Sequence, residues 1–299
     1  MSTIAFFGTP AIASYTLEQL TTAGHTVCVV ITEPSARSGR GMQMVDPPVK
    51  VTADELGIPV VQPGTAGAIA SVLERYRPDL AVVIAYGRII PRSALEIPQY
   101  GVLNIHPSLL PRYRGAAPVA HALLHGDTKT GTTIMKLDEG MDTGPILSQT
   151  SVPISPTDTT HTLTWKLVRL GTTMLLDAID PYIAGTLIPK PQPEDGVVLA
   201  PKLAKEMGLI DWHLPATKID QIVRACIPWP RAYTKWRGTR LLLLEGAVHD
   251  GSYIPTKVQM AGKRAVSWDD FVRGQRLDSA SALRELTGQP APGTINDVH

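Results

Sequence analysis

Asn104 and His106 lie two apart in Gly-Val-Leu-Asn-Ile-His (101–106), an apolar run ended by Pro107. A strand alternates its side chains, so the two point the same way. Strand ends of this kind carry ligands in open α/β sheets. An amide donor beside an imidazole suits a reaction in which a carbonyl oxygen gains negative charge while a nucleophile loses a proton. Asp142 lies in Glu-Gly-Met-Asp-Thr-Gly (139–144), after the apolar run from Thr132 to Leu137. A carboxylate arriving from a second strand would orient His106. Taken singly, each residue has a plainer reading, since polar groups at strand ends usually cap turns or satisfy backbone.

The surrounding pattern supplies a frame for them. Residues 3–7 read as a buried strand, followed by Gly8-Thr9-Pro10, a helix to about Ala23 and a β-rich run from His25 to Ile31. That is one βαβ unit. It is not a dinucleotide site, because G-x-G-x-x-G is absent. Residues 49–56 and 67–76 read as helices, Val60-Val61 as a short strand. Residues 79–85 are near-continuously apolar, as in a buried parallel strand, and run into Tyr86-Gly87-Arg88-Ile89-Ile90-Pro91. Arg112-Tyr113-Arg114-Gly115 and a helix over 117–124 follow the His106 strand. A strand over 145–153 and a 3.6-period pattern from Leu163 to Ile183 come next. Pro189, Pro191 and Pro193 then mark a semi-extended linker. Beyond it the pattern turns β-rich, with strands expected over 241–248 and 254–260, a short helix over 280–286 and a Pro-rich end.

The bulk numbers set limits. The chain has 299 residues, 43% hydrophobic and 18% charged, with a formal net charge of +1. A general polyanion binder is excluded, so any nucleic-acid contact must come from local patches. Cys28 and Cys226 are far apart in sequence, which argues against a disulfide framework and for a reduced cytoplasmic setting. The N-terminus lacks the basic and apolar regions of a signal peptide. No apolar run approaches the ~20 residues that span a membrane. His121 and His125 share a helix face, but the Glu of H-E-x-x-H and a third ligand are missing, so no metal is expected.

Asn-Ile-His-Pro-Ser-Leu-Leu-Pro (104–111), with Tyr-Arg-Gly (113–115) and Asp-Thr-Gly (142–144), resembles the signature of the folate-dependent formyltransferases. The resemblance implies Asn104, His106 and Asp142 as the catalytic triad. It implies 10-formyltetrahydrofolate as formyl donor, bound along Tyr86, Gly87, Arg88, Ile89 and Ile90, with Ser108, Leu109, Leu110 and Pro111 closing the site. The 33–50 segment, with Ser-Gly-Arg-Gly (38–41) and Pro-Pro-Val-Lys (47–50), is similar to the insertion loop of the family's methionyl-tRNA branch. So are Asp211-Trp212 with Ile-Pro-Trp-Pro (227–230), and Ala-Gly-Lys-Arg (261–264). This similarity implies initiator methionyl-tRNA as acceptor, gripped through Arg37, Arg40 and Lys50. Residues 231–240, RAYTKWRGTR, interleave Arg231, Lys235, Arg237 and Arg240 with aromatics, a pattern that suits phosphates and stacked bases.

The expected fold is α/β: an open, mainly parallel Rossmann-like sheet with helices on both faces over 1–189. A linker over 190–204 and a shortened OB-like barrel over 205–276 follow, then a tail over 277–299. The expected reaction is formyl transfer to the methionyl α-amine. Glycinamide ribonucleotide, an amino sugar nucleotide and water remain as alternative acceptors, and no membrane or stable protein partner is implied.

Overall fold

The first strand, β1 (Thr3–Gly8), alternates Ile4 and Phe6 into one apolar cluster with Ala5 and Phe7 into another. Both faces of a sheet must therefore be covered, as helical crossovers allow. The computed structural model describes residues 2–38 and 42–288. Pro10 opens α1 (Ala11–Thr22), which leads to β2 (Thr26–Ile31). A small antiparallel ribbon, β3 (Ala36–Ser38) with β4 (Gln43–Val45), precedes α2 (Pro48–Glu55) and β5 (Val60–Val61). Then come α3 (Gly67–Tyr76), β6 (Leu80–Ile84), α4 (Arg92–Leu95) and β7 (Val102–His106). After α5 (Pro118–His125), β8 (Lys129–Lys136), β9 (Ile146–Pro153) and α6 (Thr160–Ile183) follow.

The seven strands run in the order β5-β2-β1-β6-β7-β8-β9. From β5 to β7 neighbours are parallel, and β8 lies antiparallel to β7. The chain winds outward from β1 toward β5, then returns to add β6 and β7 on the other side. Strand order therefore reverses between β1 and β6, which opens a crevice at their carboxyl ends. The Thr9 hydroxyl spans it to the Tyr86 carbonyl at 2.9 Å. Helix α6 comes unusually close to the sheet at Gly171, where a Cβ would sit 2.5 Å from Ile105 Cγ2 and 2.7 Å from Thr132 Cγ2.

Two compact units divide the chain, and the division is not a single cut. The first holds Met1–Gly115, Thr130–Val152 and Trp165–Leu199; the second holds Ala116–Lys129, Pro153–Thr164 and the chain from Ala200. The 190–199 stretch, expected as linker, belongs to the first unit. Its Lys190 exchanges backbone hydrogen bonds with Ile146 at 2.7 and 2.8 Å, and Val198 O accepts from Arg114 N at 2.9 Å.

In the second unit, α7 (Ala216–Ala225) precedes four antiparallel strands in sequential order: β10 (Ala232–Trp236), β11 (Thr239–His249), β12 (Ser252–Met260) and β13 (Val266–Ser267). Arg237-Gly238 and Asp250-Gly251 make two-residue turns with positive φ at both positions, the pairing that matches strand twist. Among the described residues no further strand follows. Instead α8 (Trp268–Gly274) and α9 (Ser279–Thr287) pack on the strands through Trp268, Phe271, Ala282, Leu283 and Leu286. Up to residue 288, the tail is thus part of a core.

Two outcomes check this packing. Leu283→Ala should cost about 2–4 kcal/mol through the lost transfer energy and the cavity, read as a lowered midpoint in guanidinium unfolding. Gly171→Ala should cost about 1–3 kcal/mol by overpacking against Ile105. A midpoint unchanged by either would mean that the contact is not made.

Candidate active site

Alternation along β7 sends Leu103 and Ile105 into one apolar cluster and Val102 into the other. Asn104 and His106 share the face of Val102, as their spacing requires. Both are buried, at 9% and 4% exposure. Pairing of Asn104 with Met135 and His106 with Thr133 across β8 fixes their height.

His106 Nε2 lies 2.9 Å from the Tyr113 carbonyl. A carbonyl only accepts, so Nε2 carries the hydrogen and the lone pair of the neutral ring is on Nδ1. Nδ1 faces Asp142 Oδ2 at 3.6 Å, an ion-pair distance and too long for a good hydrogen bond. The same Oδ2 accepts from Gly115 N at 2.8 Å. Asp142 has φ +54, a left-handed conformation that its loop must enforce. The expected triad residues are therefore side by side, but the tight hold on His106 comes from a main-chain carbonyl. Tyr113, whose carbonyl does this, also has positive φ (+63) and is buried beneath the Arg112 guanidinium, 4.9 Å from its ring centroid.

The turn between His106 and Tyr113 is a scaffold. Ser108, Leu110 and Pro111 are buried, with Leu109 partly exposed. Ser108 N donates to His106 O at 2.9 Å and Ser108 Oγ to Arg112 O at 2.7 Å. Thr133 Oγ1 donates to Ser108 O at 2.7 Å, and Leu110 O accepts from Gln149 Nε2 at 2.8 Å. These side chains hold the turn against β8 and β9.

At the crevice, Ala85 (φ +47) and Gly87 (φ +87) bracket Tyr86. The Tyr86 ring is buried edge-on against Phe7, with centroids 5.3 Å apart. Burial pushes its hydroxyl above the ordinary phenol range, so it stays neutral. Tyr86 thus offers backbone at the crevice rather than its ring. Arg88 spends its guanidinium on the carbonyls of Pro63 at 2.6 Å and Gly64 at 3.1 Å. Ile89 projects into solvent at 85% exposure beside this turn, and Ile90 packs partly into the core. The segment thus sets exposed apolar surface beside constrained backbone.

The 190–199 stretch borders a cavity of about 500 Å³, lined by Arg114, Thr143, Pro145, Gln192 and Val197, among others. Nothing in the spacing of residues signalled that the Pro-rich stretch would return to the Asp142 loop.

The basic residues expected to grip RNA divide into paired and open ones. Lys50 is held between Asp46 and Asp54, each at 2.9 Å. Arg237 clasps Glu285 with two nitrogens, the second contact at 2.9 Å. In the free protein both cations are thus paired with carboxylates. Arg37 is exposed on β3, and Arg40 lies outside the described residues. Arg231, Lys235 and Arg240 are exposed, and among the described residues no carboxylate pairs with them. Lys235 and Arg240 face each other across β10 and β11, and Arg240 covers the Tyr233 ring at 3.8 Å. His121 and His125 donate to the carbonyls of Pro201 at 3.0 Å and His121 at 2.7 Å. Among the described residues no group of three or more His, Cys, Asp or Glu could hold a metal, and no helix is long and apolar enough to cross a membrane.

The formyl transferase family model matches residues 2–179, and the model of the formyl transferase C-terminal domain matches residues 202–254. The methionyl-tRNA formyltransferase of Chloroflexus aggregans is 45% identical over 264 residues, covering 88% of this chain and 85% of that protein. That of Myxococcus xanthus is 39% identical over 302 residues, covering 93% and 96%. Among solved structures, HypX from Aquifex aeolicus in complex with tetrahydrofolic acid superposes with a TM-score of 0.65 at 17% identity, over 91% of this chain and 47% of that one. The methionyl-tRNA formyltransferase from Clostridium thermocellum does so with 0.59 at 16%, over 87% and 99%. The two superpositions establish a common fold, and the sequence matches are much closer: the chain belongs to the formyl transferase family, in its methionyl-tRNA formyltransferase branch.

Proposed function

We propose that this protein transfers the formyl group of 10-formyltetrahydrofolate to the α-amine of methionyl initiator tRNA, in the cytoplasm, and that Asn104, His106 and Asp142 carry the chemistry. The observation that carries the reading is the meeting of a buried amide and a buried imidazole at one strand end, with a carboxylate facing the imidazole. Family membership supports the donor and the acceptor.

The co-substrate supplies an electrophilic formyl carbon on nitrogen. Asn104 would donate its amide hydrogens to the formyl oxygen as that oxygen gains charge. With Nε2–H committed to Tyr113 O, His106 would take the amine's proton at Nδ1. Asp142 lies beside that nitrogen and would stabilise the proton there until the departing folate nitrogen receives it. The amine nitrogen would add to the formyl carbon first, and the old C–N bond would then break as the folate nitrogen leaves with its electron pair and takes the proton from His106, so atoms and electron pairs balance. The turn at Ala85, Tyr86 and Gly87, with Ile89 beside it, would receive the pterin. Arg37 and Arg40 on one unit, and Arg231, Lys235 and Arg240 on the other, would contact tRNA.

The direct test supplies labelled formyl donor with methionyl-tRNA, glycinamide ribonucleotide or water alone. Label is expected on methionyl-tRNA, and label on another acceptor would overturn the assignment. In the same assay Asn104→Ala should lose roughly 100- to 1000-fold in kcat. His106→Ala and Asp142→Asn should also lose heavily, and double variants should lose far less than the product of the single losses. A folded His106→Ala enzyme with near-normal kcat would remove the histidine from the mechanism.

The pairing pattern gives a sharper outcome for tRNA. Lys235→Ala and Arg240→Ala should each flatten the log–log salt dependence of tRNA affinity by roughly 0.7–0.9. Lys50→Ala and Arg237→Ala should change it much less, because these cations are already paired within the protein. Equal slopes for all four variants would show that the folded-state pairing does not govern RNA contact.

A further inference from the structure

The Asp142 loop and the Tyr113–Gly115 segment are fastened together by one side chain, Gln192. Its Nε2 donates to two carbonyls, Asp142 O and Gly144 O, each at 2.8 Å. Its Oε1 accepts from Arg114 Nε at 3.0 Å and Nη2 at 2.7 Å. A primary amide has two donor hydrogens and two acceptor lone pairs, so all four are used. The orientation is not ambiguous: carbonyls only accept and a guanidinium only donates.

What lies at each end of these bonds gives them meaning. Asp142 is a non-glycine residue at φ +54, two residues before Gly144, where a Cβ would meet Lys136 O at 1.9 Å. A tight turn in a conformation disfavoured for an L-residue needs fastening from outside. Arg114 sits between Tyr113, whose carbonyl holds His106, and Gly115, whose N–H holds Asp142. Gln192 therefore joins the backbone of the carboxylate to the segment that fixes the imidazole. It reaches both because the irregular segment that carries it is pinned on either side, at Lys190 to Ile146 and at Val198 to Arg114.

We propose that Gln192 is a positioning residue of the formyl-transfer reaction, setting the separation of Asp142 from His106 through the clamp Arg114–Gln192–Asp142. This rests on the reading of His106 and Asp142 given above. Gln192 touches no reacting atom in this arrangement. Glutamate in its place would still accept from Arg114 but would turn a carboxylate on two carbonyls. Asparagine would fall one methylene short of bridging both sides.

The test is a kinetic cycle on the full chain with Gln192→Ala, Gln192→Glu, Asp142→Asn and the double variant Gln192→Ala/Asp142→Asn, each checked for its unfolding midpoint. Displacing the carboxylate by about 1 Å should lower kcat of Gln192→Ala about 100-fold. KM for donor and for tRNA should move by less than about threefold, since binding surface is retained. Gln192→Glu should fall as far although its size is conserved. In the Asp142→Asn background, adding Gln192→Ala should cost less than about threefold, because the group it positions is already disabled. If the loss is the same in both backgrounds, or appears as KM, Gln192 is a general structural support and the inference is overturned. It is also overturned if Gln192→Ala retains full kcat while Asp142→Asn does not, and the catalytic reading then stands. If Asp142→Asn itself keeps full kcat, the catalytic reading fails and the inference with it. If Gln192→Ala does not fold, Gln192→Glu replaces it in the cycle under the same outcomes.

Discussion

One hydrogen bond orders the candidate site: His106 Nε2–H to the carbonyl of Tyr113, at 2.9 Å. It settles which nitrogen of the neutral ring can accept a proton, and it turns that nitrogen toward Asp142. The bond exists only because Tyr113 takes a left-handed backbone conformation, which points its carbonyl back at the strand it has just left. Three consecutive residues then meet three parts of the site. Tyr113 O meets the imidazole, Arg114 meets Gln192, and Gly115 N meets the carboxylate. Two of these contacts, at Tyr113 O and Gly115 N, are main-chain groups, which have no rotamer freedom to lose.

The sheet determines where such a segment can operate. Parallel strands deliver loops to one edge, and the reversal of strand order between β1 and β6 leaves a gap there. The loop of Tyr86 lies at the gap. The strand of Asn104 and His106 is next to β6, with Asn104 in register with Val83. The Tyr86 loop and the Asn104–His106 strand end are thus neighbours by topology. Fine adjustment comes from β8 and β9, where the Thr133 hydroxyl and the Gln149 amide hold the intervening turn.

The second unit solves a packing problem in an economical way. Four antiparallel strands with one apolar face must bury that face against another element. Trp236, Phe271 and Trp268 form an aromatic cluster, with ring centroids 5.2 and 5.5 Å apart, between sheet and helices. Helices α8 and α9 then cover what further strands would otherwise cover. The same arrangement decides which cations are paired: α9 brings Glu285 to Arg237, while among the described residues no carboxylate pairs with Lys235 or Arg240.

Much of this was legible in the residues. The spacing of Asn104 and His106 placed them on one face, because strand periodicity is a local property of the chain. The βαβ opening, the buried β6 run and the amphipathic helices followed from the same local rules. The long signature over 104–115 and 142–144 named the family, since so many fixed positions do not coincide by chance. Four things waited for the tertiary structure. The spacing of prolines from 189 to 193 reads as a linker, since nothing local says that Gln192 will find Asp142, 50 positions away. Lys50 and Arg237 are legible as cations, but which carboxylate pairs with each depends on what the fold brings near. A short terminal helix has no evident purpose until its apolar face meets a sheet. The proton-bearing nitrogen of His106 was set by a carbonyl, a group that every residue possesses. Side-chain chemistry is written in residue types, but backbone donors and acceptors are identical along the chain, so only the fold decides which of them forms part of a site.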